Sequence, residues 1–246
     1  SLEKWNALPE GERLPDSVQI PPLRAGSIDK RYARTLPEDA LVVKVHSRVL
    51  ERDDHGRLVP CGTPGAETDT FRHRGFGSAT DHLWIRRDEI AALRKAVAES
   101  NPAPVPTPLA MRLARFHLVE NTRGEPPHWK RPEVRALTLA ASRDKKTPGR
   151  LQLVGSFHLE TGSGKRGYEG TLRGLIDLEA DGPGIQRLDV VAIGKHWGEG
   201  TYTRGARPGK TPFGVAFTLG DRSNPKDLIP PQAIRWEQGY WEADRH

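Results

Sequence analysis

Two short segments each carry an imidazole and a carboxylate three residues apart: His117 with Glu120 in HLVENTRG, and His196 with Glu199 in HWGEGTYTRG. No other histidine among the nine begins an HxxE pair, and each pair runs into Thr-Arg-Gly, at residues 122–124 and 203–205. Imidazole with carboxylate is a ligand set suited to Zn, Cu, Fe or Mn. An open coordination position would let such a metal activate water or bind dioxygen. Without a metal the same groups form an acid–base set. Arginines two or more residues beyond the pairs can hold a carboxylate, phosphate or sulfate through paired hydrogen bonds.

The expectation from these residues is an enzyme, a metal-dependent hydrolase or oxidoreductase acting on a small or polymeric anionic substrate. It assigns His117, His196, Glu120 and Glu199 as metal ligands and His196, Glu199 and Glu120 as catalytic groups. Arg123, Arg204, Arg207, Trp197, Tyr202 and His128 are its substrate-binding residues. The bland alternative is that HxxE occurs by chance, that histidine near a helix end caps carbonyls, and that both Thr-Arg-Gly segments are turns with solvated arginines.

A rival expectation comes from interleaved rings and cations. Phe71, Arg72, His73, Arg74 and Phe76, with Trp197, Tyr202, Arg204 and Arg207, could make a non-catalytic β module that binds a polyanion, either nucleic acid or an acidic glycan. The net charge of +6 favours an anionic partner, but 32 acidic residues are mixed among 38 basic ones, and no RNP, KH or zinc-finger pattern occurs. Nucleic acid is therefore the less favoured partner.

Other chemistries fail on context. GSGKRG at 162–167 fits the dinucleotide pattern GxGxxG, yet an alternating strand pattern follows it where a helix is required. GARPGKT at 205–211 resembles a P-loop one spacer short and runs into TPFGVAFTL, which also reads as strand. There is no GxSxG elbow, and Cys61 has no base beside it in sequence. Asp81 and His82 are adjacent on a strand pattern, so they point to opposite faces and cannot act together.

The elements that must position these residues follow from periodicity. LVVKVHSRVL reads as a half-buried strand with Leu41, Val43, Val45 and Val49 inward and His46 outward, and residues 51–80 read as loop. RRDEIAALRKAVAES is an amphipathic helix with Asp88 and Glu89 in its first turn and Ile90, Leu93 and Val97 on its apolar face. Prolines 102, 104, 106 and 108 form a stiff connector into a second helix that runs to about Phe116. On that helix His117 and Glu120 would share a face.

From Arg131 onward the period is two. Leu151, Leu153, Phe157 and Leu159 share one face, as do Tyr168, Leu172, Ile176 and Leu178, and His158 points outward. The fold expected is α+β: mainly an antiparallel β-meander or partly closed barrel in the C-terminal half, with two helices from the N-terminal half packed beside it. A single domain is expected over 1–246. It comprises an extended surface-wrapping segment (1–40), a strand and two helices joined by the proline-rich connector (41–118), and the sheet (131–246).

With one cysteine there is no intrachain disulfide or CxxC zinc site, and no apolar run is long enough to span a bilayer. The only methionine is Met111, so the sequence does not start at a native initiator, and export with removal of a signal peptide is left open. Oligomeric state has no sequence signal.

Overall fold

The computed structural model describes residues 2–13, 34–61, 77–180 and 182–245. A short helix, α1 (Leu2–Asn6), and a 3-10 turn (Glu10–Arg13) open the chain where its prolines predict extended backbone. Pro9 leads that turn by accepting from Glu12 N–H at 2.9 Å, a role that needs no N–H of its own. Residues 14–33 of the expected wrapping segment lie outside the described residues.

The first strand, β1 (Leu41–Arg52), turns back through β2 (Leu58–Pro60) and is followed by β3 (Ser78–Ile85), α2 (Arg87–Glu99), the two-residue β4 (Ala103–Pro104) and α3 (Thr107–Arg112). Thus part of the 51–80 stretch read as loop is strand. The strand read at Asp81 and His82 is β3, and pairing with β1 extends it back to Ser78 and adds β2.

The meander is β5 (Val134–Arg143), β6 (Arg150–Glu160), β7 (Gly167–Leu178), β8 (Ile185–Trp197) and β9 (Thr211–Leu219), each antiparallel to the next. Its joining turns include both glycine-rich segments that fail as nucleotide loops. β1 then pairs with β9, so the sheet order is β2–β1–β9–β8–β7–β6–β5–β4, with β3 on the other side of β1. The chain ends on a short helix, α4 (Glu237–Trp241).

Alternation gives the sheet one buried face, with Val43, Val45, Leu153, Phe157, Tyr168, Leu172, Val190, Phe213 and Phe217 inward. Val154, Val191 and Ile193 point out and stay at least 40% exposed. Ile90, Leu93 and Val97 of α2 are buried as their spacing predicts. Each such aliphatic side chain contributes roughly 1.5–3 kcal/mol of burial. Leu83 and Ile85, near one sheet edge, and Leu139, near the other, line the same apolar hollow as Leu93 and Leu109. The sheet therefore curls round the two helices toward a barrel while remaining open.

Glu89 ties these layers together. Its Oε2 accepts from Arg86 N–H at the start of α2, and its Oε1 pairs with Arg112 of α3, whose guanidinium is wholly buried and lies 4.8 Å from the ring of Trp241 and 5.3 Å from that of Tyr240. A buried charge left without its partner would cost several kcal/mol, so α2, α3 and α4 are locked in one arrangement. Among the described residues no helix is long and apolar enough to cross a membrane.

Candidate functional site at one rim of the sheet

The second helix does not carry His117 and Glu120 on one face. After α3 the backbone widens into a π-turn (Leu113–His117), Leu118 leaves helical geometry at φ −87° and ψ 60°, and Glu120 lies beyond it in irregular chain. The i, i+3 relation that would have joined the two side chains ends with the helix.

His117 instead meets residues far away in sequence. Its Nδ1 stands 3.3 Å from Asp81 on the inward face of β3, and its Nε2 is 3.3 Å from the Tyr240 hydroxyl. Tyr240 Oη accepts from Trp84 N–H at 3.1 Å, and Asp81 accepts from Gln232 N–H at 3.0 Å. Burial pushes the Asp81 carboxyl up, but the adjacent His117 imidazole and backbone N–H donors outweigh it and hold the group below its ordinary value. His117 is 1% exposed and Tyr240 is fully buried, so this group pins the C-terminal segment to the sheet.

Glu120 faces another way and organises the rim. Its Oε1 accepts from Thr122 N–H at 2.9 Å and from the Thr122 hydroxyl, while Oε2 accepts from Arg123 Nε at 2.6 Å. Arg123 then reaches across to the 194–210 segment, donating Nη1 to Thr203 O at 2.6 Å and Nη2 to Gly198 O at 3.1 Å. The two Thr-Arg-Gly turns therefore pack against each other. Gly124 sits at φ +144°, where a Cβ would come within 2.3 Å of Tyr202 O, so only glycine allows this approach. Arg166, from the β6–β7 turn, donates to Pro127 O at 2.8 Å and lies 4.0 Å over Trp129, adding a third loop to the assembly.

His196 enters this rim from β8, where it follows Val190 and Ala192 on the inward face. With Glu120, Arg123, Arg207, Thr211 and Phe213 it lines a cavity of about 20 Å³, enough for one water. Burial lowers the imidazole to about 4; Glu120 opposes that shift, and Arg123, Arg166 and Arg207 reinforce it. At neutral pH it is an uncharged ring beside a carboxylate, able to take a proton or offer one lone pair.

The remaining expected residues are placed differently. Glu199 is turned away from His196: it accepts from Gly205 N–H at 2.8 Å and Ala206 N–H at 3.4 Å, which with nearby Arg123 and Arg204 holds its carboxyl low. Arg207 donates to Leu50 O and Pro212 O. Trp197 donates its indole N–H to Gly164 O at 3.0 Å and has Lys210 Nζ 4.1 Å over its ring. His128 is packed edge-on between Phe116 and Trp236, with burial lowering it to about 4, and does not line the cavity. His158 points outward and is half-buried, 3.7 Å from Glu160. Tyr202, 73% exposed, and Arg204 project from the loop tip into solvent.

So Glu120, Arg123, His196 and Arg207 share one cavity, while His117, Glu199 and His128 stand apart from it. Two of the three arginines expected to hold substrate, Arg123 and Arg207, spend donors on protein carbonyls, because a guanidinium drawn into the interior must find acceptors there, whereas Arg204 stays in solvent. Among the described residues no group of three or more His, Cys, Asp or Glu side chains could hold a metal ion. Phe71, Arg72, His73, Arg74 and Phe76 lie outside the described residues.

Sequence reasoning missed a groove on the other side of the same rim. It occupies about 580 Å³ and is lined by Arg52, Lys195, Arg207 and Lys210, with Glu51 the one acidic lining residue. Lys195 follows the inward Gly194 on β8 and so points outward, and Arg52 does the same at the end of β1. Arg207 and Thr211 line both cavity and groove. No family model, curated protein or solved structure matches the chain.

Proposed function

We propose that the chain is a binding module for an anionic polymer, an acidic glycan ahead of nucleic acid, held in the groove at the rim. One observation carries this reading: Arg52, Lys195, Arg207 and Lys210 line a groove of about 580 Å³ in which Glu51 is the one acidic lining residue, although Lys210 is already paired with Glu169 at 2.8 Å. The adjoining loop is held by Arg123 and presents Arg204 and Tyr202 at its tip, so little ordering cost is added when a ligand docks. The apolar walls of the groove are Leu58, Ile193 and Pro212. These would offer aliphatic contact to a sugar face, and no aromatic ring lines the groove for a base to stack on.

Titration with a sulfated oligosaccharide at low and high salt tests it. Binding should weaken with salt, and Lys195→Ala or Arg204→Ala should each lower affinity about tenfold. Affinity that ignores both salt and these substitutions would remove the proposal.

A second, enzymatic reading rests on His196. A neutral imidazole beside Glu120, in a cavity the size of a water, is a candidate base or a first ligand for a divalent transition metal. It requires His196→Ala to abolish turnover or metal binding while leaving glycan affinity intact.

A further inference from the structure

The chain covers the two outer strands of its sheet unequally. On one side the C-terminal segment lies along β3: Tyr240 Oη accepts from Trp84 N–H at 3.1 Å, and Asp81 accepts from Gln232 N–H at 3.0 Å. On the other side β5 has only the two residues of β4 beside it, Ala103 opposite Ala141 and Pro104 opposite Ala140. Val105 N–H adds a bond to Leu139 O at 2.9 Å, and Arg143 N–H donates to Asn101 Oδ1 at 2.9 Å. At Pro106 the chain leaves the edge and enters α3.

Leu139, Ala141 and Arg143 thus turn their backbone groups outward, and by the alternation of an antiparallel strand Leu137 does the same. Among the described residues nothing is hydrogen-bonded to Leu137 on that side. Its neighbours Arg135, Ala136 and Thr138 are exposed. Such an edge is a template for another strand unless lysine, proline or a bulge blunts it. β5 has a bulge between Val134 and Ala136, and neither lysine nor proline from Val134 to Arg143.

Along this edge, between β5, β4 and α3, runs a groove of about 540 Å³. Leu137, Leu139, Pro104, Ala110 and Met111 are among its walls, and Thr107 and Thr138 are its only polar side chains. The charge around it is one-sided. Residues 130–146 carry Lys130, Arg131, Arg135, Arg143, Lys145 and Lys146 against Glu133 and Asp144. Both carboxylates already hold backbone N–H groups, Glu133 that of Lys130 at 2.8 Å and Asp144 those of Lys146 at 2.8 Å and Thr147 at 2.9 Å. A second copy paired edge to edge would set these cations against their own kind, which disfavours it.

We propose that this edge takes an extended peptide from a partner protein, added antiparallel to β5 in the line of β4. Alternate aliphatic side chains of the peptide fill the groove, and acidic residues at its C-terminal end meet Arg131 and Arg135, both exposed. Backbone bonds to Leu137 and the apolar groove supply affinity, while the cations at one end set the direction. The surface uses none of the rim residues.

Fluorescence anisotropy of the whole chain with a labelled, end-blocked peptide, Val-Thr-Val-Thr-Val-Glu-Glu, tests the site. Saturable binding is expected, and Arg135→Glu should weaken it about tenfold. Leu137→Pro removes an N–H that pairing with β6 does not use, and should abolish binding. A thermal melt checks that variant, and Arg135→Glu, at an exposed position, carries the test alone if Leu137→Pro is unfolded. Two further peptides, N-methylated at odd or at even residues, read the backbone bonds: one should lose binding and the other keep it. Arg204→Ala and Lys195→Ala at the rim should change nothing. The proposal is overturned by no saturable binding, by wild-type affinity in Arg135→Glu, or by equal binding of the two N-methylated peptides. A dimer in sedimentation that Leu137→Pro dissolves would assign the edge to a second copy and also overturn it.

Discussion

Arg123 donates to the carbonyl of Thr203 at 2.6 Å across eighty residues of sequence, and this one bond joins the two Thr-Arg-Gly turns into a single rim. The same guanidinium holds Glu120 and Gly198 O, and its side chain is 8% exposed. Repetition of a tripeptide in the sequence thus corresponds to a physical contact, although the roles of its two arginines diverge: Arg123 is interior and structural, Arg204 exposed.

Arg123→Gln should therefore cost about 3 kcal/mol, because Glu120 is left buried without its cation. Urea unfolding measures the loss, and hydrogen exchange should quicken across residues 198–205. A variant as stable as the parent would show that the rim does not depend on this pair.

Stability should fall as pH drops. Burial holds His128 and His196 at about 4 against an ordinary 6.5. Between those values the unfolded chain binds protons that the folded chain refuses, so their contribution is complete above about 6.5 and is lost toward 4, up to about 3 kcal/mol for each ring. His196→Gln should flatten this dependence by about half. Urea midpoints at neutral pH and near the bottom of that window would disprove the assignment if parent and variant fell equally.

Tyr240→Phe should destabilise the fold by about 1–3 kcal/mol. The hydroxyl serves Trp84 N–H and His117 Nε2 in a fully buried site, so its removal leaves both buried groups short of a partner. Thermal melts read the loss. Asp81→Asn should show a similar effect, through the contact with His117 Nδ1.

Elemental analysis of the purified, tag-free protein separates the two functional readings. The binding module predicts glycan affinity indifferent to chelator. Near-stoichiometric Zn, Cu, Fe or Mn that disappears in His196→Ala would favour the enzyme and retire the binding reading.

Much of the scaffold is legible in sequence. The alternation in LQLVGSFHLE and YEGTLRGLIDLE sorts residues to the faces they occupy, the 3.6-residue spacing in α2 places Ile90, Leu93 and Val97, and GSGKRG and GARPGKT are the turns that their flanking strands demand. Around Asp81 and His82 β3 was legible as strand, but its start at 78–80 and the short β2 were not, because β1 supplies their pairing. Tyr240 carries no local signal at all, while Asp81 does: a carboxylate on the apolar phase of a strand needs a buried partner, and that requirement alone points to a distant group such as His117.

By itself the sequence determined the period of most elements and the turns between them, since these rest on backbone geometry and side-chain alternation over a few residues. Only the tertiary structure decided which charges face each other. Packing of the 113–124 segment against β3 and against the β8–β9 loop carries His117 to Asp81 and Arg123 to Thr203, and the cost of desolvating a lone charge or donor then selects its partner from whatever the fold has brought within reach.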